Sequence, residues 1–404
     1  MNDRDHVPDG RRLSRRSLLL GGGAGLGIGM LAGGAATVSV TAATQASTPP
    51  TAAEDSSTAK RTRVPSRGAT QAGVARPATP QAHTLVMVAD LDGAPSAADV
   101  RAAIALLGDA ADAATDPTHA DPLLLPDGVG DLSITIGMGP RLVRILDPAL
   151  PGAAELPIFA GDTSLTAELT GGDLLISVCA SDAAVVPGVA AALLGAVPGA
   201  RRRWSQAGVR GTGTGTVARN PLGYLDGVIV PRTSEERAAN VWIGSGPAAG
   251  GTIAVIRRLR LDITRFHAQP VAGQDRVIGR TRIDGAPLSG GAPSDEADLT
   301  AKTPEGEYLV PLRSHVRAAH PSFTGSALML RRSYAYSNAV GAGAAPDDGL
   351  LFISFQNDLD AFVRTQHRLD ETDDLMGFAT TTASGSFLIL PGRKDDSPLG
   401  ASLS

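Results

Sequence analysis

The chain has 404 residues, 43% of them hydrophobic, which is enough apolar material for one large or two moderate domains and excludes a disordered tail. A formal net charge of −5, with no Lys/Arg-rich stripe after residue 70, excludes a general nucleic-acid binder, because phosphate neutralisation needs a basic face. The single cysteine, Cys179, excludes an intrachain disulfide and a four-cysteine metal site, and its apolar setting reads as a buried thiol.

The chain opens with a targeting pattern. Arg11 and Arg12 precede Ser14-Arg15-Arg16-Ser17-Leu18-Leu19-Leu20, a glycine- and alanine-rich stretch runs to Val40, and small residues follow from Ala43 to Ala46. This predicts a twin-arginine signal peptide over 1–46, recognised by the twin-arginine export machinery and delivering a periplasmic, cell-envelope or extracellular protein. The glycines between Gly21 and Gly34 dilute the hydrophobicity that a membrane anchor would need. Residues 47–80, rich in Ser, Thr, Ala and Pro, read as a flexible linker.

Beyond the linker, His83 to Asp90 alternates as a strand, and Ser96 to Ala114 carries helical apolar spacing begun by a capping serine. Leu132–Met138 and Asp173–Ala180 read as further strands and Ala183–Leu194 as a second helix. This β-α-β-β-α-β-like order is that of a ferredoxin-like domain, expected over 81–215. GVRGTGTGTVARN then breaks all periodicity and marks a boundary. A second such domain is expected over 216–396, with strands at Thr252–Leu261, Ala327–Arg332, Leu350–Phe355 and Ser386–Leu390 and a helix at Leu359–Leu369. Residues 268–307 lack clear periodicity and read as an inserted loop, and 397–404 as a tail. The fold class is therefore α+β, with two antiparallel sheets.

Three places could carry chemistry. His315 ends the short apolar run Tyr-Leu-Val-Pro-Leu-Arg-Ser-His, flanked by Arg313 and Arg317; alone, such a histidine is more often structural. Leu328-Met329-Leu330-Arg331-Arg332 sends at least one guanidinium out of an apolar strand, which is costly without an anionic partner. Gly223-Tyr224-Leu225-Asp226-Gly227 sets a carboxylate in a glycine-bracketed turn, where aspartate is ordinarily a backbone choice.

Taken together and in order, these segments resemble the dye-decolourising peroxidases, especially the exported bacterial group that includes deferrochelatase-like members. The resemblance spans roughly residues 80 to 395. It rests on the Gly-x-x-Asp-Gly hallmark (Gly223, Asp226, Gly227), on Ser314-His315-Val316-Arg317, on Leu330-Arg331-Arg332, and on Gly349-Leu350-Leu351-Phe352-Ile353-Ser354-Phe355-Gln356. Val228, His320 and Ser333 depart from the family's usual Thr, Asn and Gly.

The resemblance implies a peroxidase that uses hydrogen peroxide to oxidise dyes or aromatic reductants, with haem b (iron protoporphyrin IX) held mainly by the C-terminal domain. His315 would be the proximal iron ligand and Asp358 the carboxylate accepting its N–H. Asp226 would be the distal acid-base group and Arg331 the distal cation. Phe352 would line the pocket, and Arg280 would meet a haem propionate. A homodimer is compatible with the resemblance. The alternative it carries is a deferrochelatase-like protein that releases iron from haem. Of the six Tyr and Trp residues, Tyr224, Tyr308, Tyr334, Tyr336, Trp204 and Trp242, each is more simply a packing residue than an electron relay.

Overall fold

The computed structural model describes residues 62–403. The expected signal peptide and the first part of the expected linker lie outside these residues. The rest of that linker is part of the folded body: Val64, Ala72 and Val74 are buried, and the Gln71 side chain donates to the carbonyls of Ile136 and Leu390 while accepting from Ile136 N.

The N-terminal half runs β1 (His83–Leu91), α1 (Ala97–Thr115), β2 (Ser133–Met138), α2 (Pro140–Leu146), β3 (Leu174–Ala180), α3 (Val185–Gly195) and β4 (Ala200–Val209). Helix α1 starts where the sequence places it. Ser96 Oγ accepts from Asp99 N, and the Asp99 carboxylate accepts from Ser96 N, a reciprocal cap that satisfies two amides the helix leaves orphaned. All strand pairings are antiparallel, in the order β4-β1-β3-β2. The arginines of β4 hide it from any hydrophobic pattern, yet they pair across the strands, Arg203 Nη1 with Asp90 Oδ2 at 2.8 Å.

A two-strand hairpin, β5 (Ala218–Arg219) with β6 (Leu225–Asp226), leads into the second half. There follow α4 (Ser234–Asn240), β7 (Thr252–Leu261), α5 (Ile263–His267), α6 (Val271–Ile278), α7 (His315–Ala318) and α8 (Pro321–Thr324). The chain then forms β8 (Leu330–Arg331), β9 (Tyr334–Asn338), β10 (Asp347–Gln356), α9 (Leu359–Thr372) and β11 (Ala379–Ile389). The expected strand at Ala327–Arg332 is shorter, and β9 continues its register along β10 after a break at Arg332 and Ser333. The expected closing strand starts seven residues earlier, at Ala379 rather than Ser386, because ATTTASG is polar in type but buried between β7 and its neighbours.

The second sheet, β11-β7-β10-β9, repeats the order of the first. The two join at both edges, through Val209↔Ala335 and through Leu388↔Met138 with Ile389↔Gly137. Successive side chains of a strand point to opposite faces. Val86, Val88, Ala254, Ile256, Leu351, Ile353 and Phe355 therefore share an inner core between the sheets, with Trp204 and Phe387. The outer face of the first sheet (Met87, Ala89, Ile134, Ile176) packs on α1 and α3 through Ile104, Leu107, Val189 and Leu193. The expected C-terminal tail belongs to this core, since Leu399 and Leu403 are buried in it. The outer face of the second sheet is not filled in this way.

Candidate active site

The outward-facing residues of β7 and β10, among them Arg257, Leu259, Leu261, Leu350 and Phe352, form one wall of a cavity with about 1560 Å³ of empty space, its mouth included. The opposite wall comes from α7, α8 and α9 and the turn after α9. Every residue lining it lies in the second half of the chain.

His315 is the first residue of α7, following Ser314, whose hydroxyl donates to Pro311 O at 2.8 Å. Its Nδ1 lies 2.6 Å from Asp373 Oδ2, and the Asp373 side chain is fully buried, with Oδ1 accepting from Leu375 N at 2.9 Å. A carboxylate in that place fixes Nδ1 as the protonated nitrogen and leaves Nε2 as the free lone pair towards the cavity. Burial by itself would lower the imidazole's pKa, but the charge and hydrogen bond of Asp373 outweigh it and raise the pKa above the ordinary value.

This corrects the expected partner. Asp358 caps the other end of α9, accepting from Asp360 N at 3.0 Å. At 1.5 Å per residue, a helix carries its two end residues about 20 Å apart, so one aspartate holds the imidazole and the other cannot reach it.

Asp226 and Arg331 also line the cavity and are brought together. Arg331 Nε and Nη2 lie 3.4 and 3.3 Å from Asp226 Oδ1, and Arg331 Nη1 donates to Ile229 O at 3.3 Å. Gly227 N donates to Asp226 Oδ1 at 2.6 Å. The glycine is required there, because φ is +79° and a Cβ would fall 2.0 Å from Thr216 O. Burial alone would favour the neutral acid, but Arg331, the Gly227 amide and Arg210 more than offset it and hold the Asp226 carboxyl below its ordinary pKa. Gly223 shapes the hairpin, with φ +89° and Arg282 against its α-carbon, rather than facing the cavity.

Phe352 lies on the sheet wall as expected, 5.9 Å from the Phe362 ring. Arg280 also borders the cavity, but three of its five N–H donors go to the carbonyls of Gly285, Pro293 and Asp295, so it chiefly ties down the loop after α6. His320, at the cavity rim, accepts from Ser322 N through Nδ1 and meets Glu296 Oε1 at 2.6 Å through Nε2.

Arg257 is the residue the sequence reading passed over. It is 2% exposed, bonded through Nη2 to Asp162 and to Thr381 Oγ1, with its guanidinium 5.1 Å from the Phe159 ring centre. Its Nε and Nη1 are buried without a hydrogen-bond partner among the described residues. The two-residue period of a strand, which sets Arg257 on the face of Val255 and Leu259 in TIAVIRRLRL, was the signal available for it.

A large, mostly apolar cavity, one imidazole lone pair backed by a carboxylate, an Asp–Arg pair also at its wall, and a buried guanidinium with spare donors fit a flat macrocycle with an axial metal position and acidic side arms. The class so defined is a haem peroxidase. Family profiles for "Dyp-type peroxidase, N-terminal" and "Dyp-type peroxidase, C-terminal" match residues 71–210 and 217–394, and the chain belongs to the haem-dependent Dyp-type peroxidase family. It is 32% identical to a dye-decolorizing peroxidase of Thermobifida fusca, over 69% of this chain and 68% of that one. It is 31% identical to a deferrochelatase of Shigella flexneri, over 95% and 94% of the two chains. The oxyferrous complex of DtpA from Streptomyces lividans superposes with a TM-score of 0.79 at 30% identity, covering 85% of this chain and 98% of that one. The two-domain ferredoxin-like architecture read from the sequence is the one this family shares.

Proposed function

We propose that the protein is a peroxidase that uses hydrogen peroxide to oxidise dyes or other aromatic reductants, with haem b held through His315 Nε2. The observation that carries this reading is the His315–Asp373 pair and the Asp226–Arg331 pair in one cavity. When bound, the iron porphyrin supplies the redox chemistry. The chain's own residues do the rest. Asp373 orients the imidazole and strengthens its electron donation. Asp226, ionised, takes a proton from peroxide admitted to the cavity and returns it to the departing oxygen. Arg331, a permanent cation beside it, stabilises the negative charge that builds up in that transfer. Arg257, with two unpartnered nitrogens, Nε and Nη1, is a holder for an acidic arm of the cofactor.

Ser14-Arg15-Arg16-Ser17-Leu18-Leu19-Leu20 supports export by the twin-arginine route to the cell envelope or beyond. The deferrochelatase relatives favour a second reading, iron release from haem with the porphyrin kept whole. A single assay separates the two: haem-loaded protein is given peroxide and an anthraquinone dye while free iron is followed with a chelator. Rapid dye bleaching without iron release is the expected result. Iron release without dye oxidation would overturn the peroxidase reading in favour of the second.

A further inference from the structure

The residues that alternate with Asp226 and Arg331 line a second cleft. Leu225, Val228 and Leu330 form its walls with Val217, around about 1120 Å³ of empty space, its open mouth included. Val228 borders both this cleft and the main cavity. The polar part of the lining is cationic: Arg232, Arg237 and Arg332 face it, and no carboxylate does.

These guanidiniums have only neutral hydrogen-bond partners. Arg232 Nη2 donates to Val228 O at 2.5 Å, Arg237 Nη2 to Arg232 O at 2.7 Å, and Arg332 Nη1 to Pro77 O at 2.8 Å and Val74 O at 3.2 Å. Arg210 stands beside them and bonds the carbonyls of Ser333 and Thr216. Two acids stand nearby: Glu236, which is exposed and caps α4 by accepting from Arg232 N and Thr233 N, and Asp226 near Arg210 on the main-cavity side. Arg332 is 3% exposed, and burial pulls its pKa below the ordinary arginine value. A guanidinium has five donors in a planar fork, so each of these keeps several for an anion. A buried cation with no counter-charge is destabilising until one arrives.

We propose that this cleft is a binding site for a planar aromatic anion, its carboxylate, sulfonate or phenolate held by Arg232, Arg237 and Arg332 and its ring lying against Val217, Leu225, Val228 and Leu330. The apolar walls select the ring, and the arginine fork selects the charge. Its use as the reductant's seat rests on the peroxidase reading: two electron-rich anions in turn each lose one electron across the Val228 wall, and one hydrogen peroxide, taking up both electrons and two protons, leaves as two waters.

Binding is tested with the redox-inert fluorescent probe 2-naphthalenesulfonate, titrated into the full chain at low salt. Saturable, salt-sensitive binding is expected, weakened about tenfold or more, about 1.4 kcal/mol, in Arg232→Gln/Arg237→Gln, which removes two charge-assisted donors. Val217→Asp, which places a carboxylate on the wall and keeps every arginine, should weaken it as well. Arg202→Gln, on the exposed face of β4, removes the same charge elsewhere and should leave binding unchanged. Neutral 2-methoxynaphthalene should bind much more weakly. Absence of saturable binding at millimolar probe, or equal affinity in the wild type and both cleft variants, overturns the site. Inorganic phosphate displacing the probe at equal concentration overturns its aromatic selectivity. A chain that binds the probe but bleaches no dye with peroxide keeps the cleft and loses the peroxidase reading, so the two failures are distinguishable.

Discussion

The two halves share one strand order, yet they treat the outer faces of their sheets in opposite ways. The first buries Met87, Ala89, Ile134 and Ile176 under α1 and α3, leaving a filled core. In the second, α9 meets β7 and β10 around Val255, Phe352 and Phe362, and beside that contact the sheet, α7 and α8 leave the space that becomes the haem-peroxidase cavity. Packing withheld from one copy of a fold is what makes room for a cofactor, and the other copy supplies the stability that the hollow one forgoes. The polar groups differ in use: the first half buries Asp162 and Asp173 in ion pairs with Arg257 and Arg141, while the second turns Asp226, His315 and Arg331 to its cavity.

If the cavity is the working half, its distal pair should be the most sensitive point. Arg331→Leu or Asp226→Asn should each slow the reaction with peroxide by about 10²–10³, the usual loss for one well-placed charge-stabilising or proton-transferring group, as read by stopped-flow absorbance. Loss in one variant alone would assign the work to a single side chain. In the filled half, Ile176→Ala should cost about 2–5 kcal/mol of stability by chemical denaturation and leave the haem spectrum intact, because the void is closed. Leu259→Ala, at the wall of an existing cavity, should cost clearly less. Equal costs would erase the contrast between the halves.

Smaller effects sharpen the proximal side. Asp373→Asn should weaken haem retention by about 10–100-fold, measured as haem transfer to apomyoglobin, since outer partners of a ligating histidine carry effects of that size. Asp358→Ala should cost only about 1 kcal/mol, the worth of a helix cap, and leave haem transfer unchanged. The reverse order would restore the partner expected from sequence.

That last pair shows where the sequence was legible and where it was not. Alternation and turn chemistry revealed most strands of both sheets, the Ser96 cap and the Gly223–Gly227 turn, because each is a local property of a few residues; β4, rich in arginine, and β9 were not among them. His315, Asp226 and Arg331 could be selected because they stand in family order. Asp373 could not be told from Asp358, since both flank the same helix and only its docking against α7 decides which end meets the imidazole. Arg257 and its partner Asp162 were missed for a related reason: they are 95 residues apart and meet only when the two halves close. Strand β11 was read short because its threonines and serines are polar by type and buried by position.

The central claim is that His315 holds the iron. His320 also borders the cavity, so the decisive measurement is the visible absorption spectrum of the haem-reconstituted His315→Ala variant beside His320→Ala. The account predicts that the ferric Soret band of the wild type collapses or shifts in His315→Ala, returns on adding imidazole, and persists in His320→Ala. A wild-type Soret band in His315→Ala, or its loss in His320→Ala alone, would contradict it.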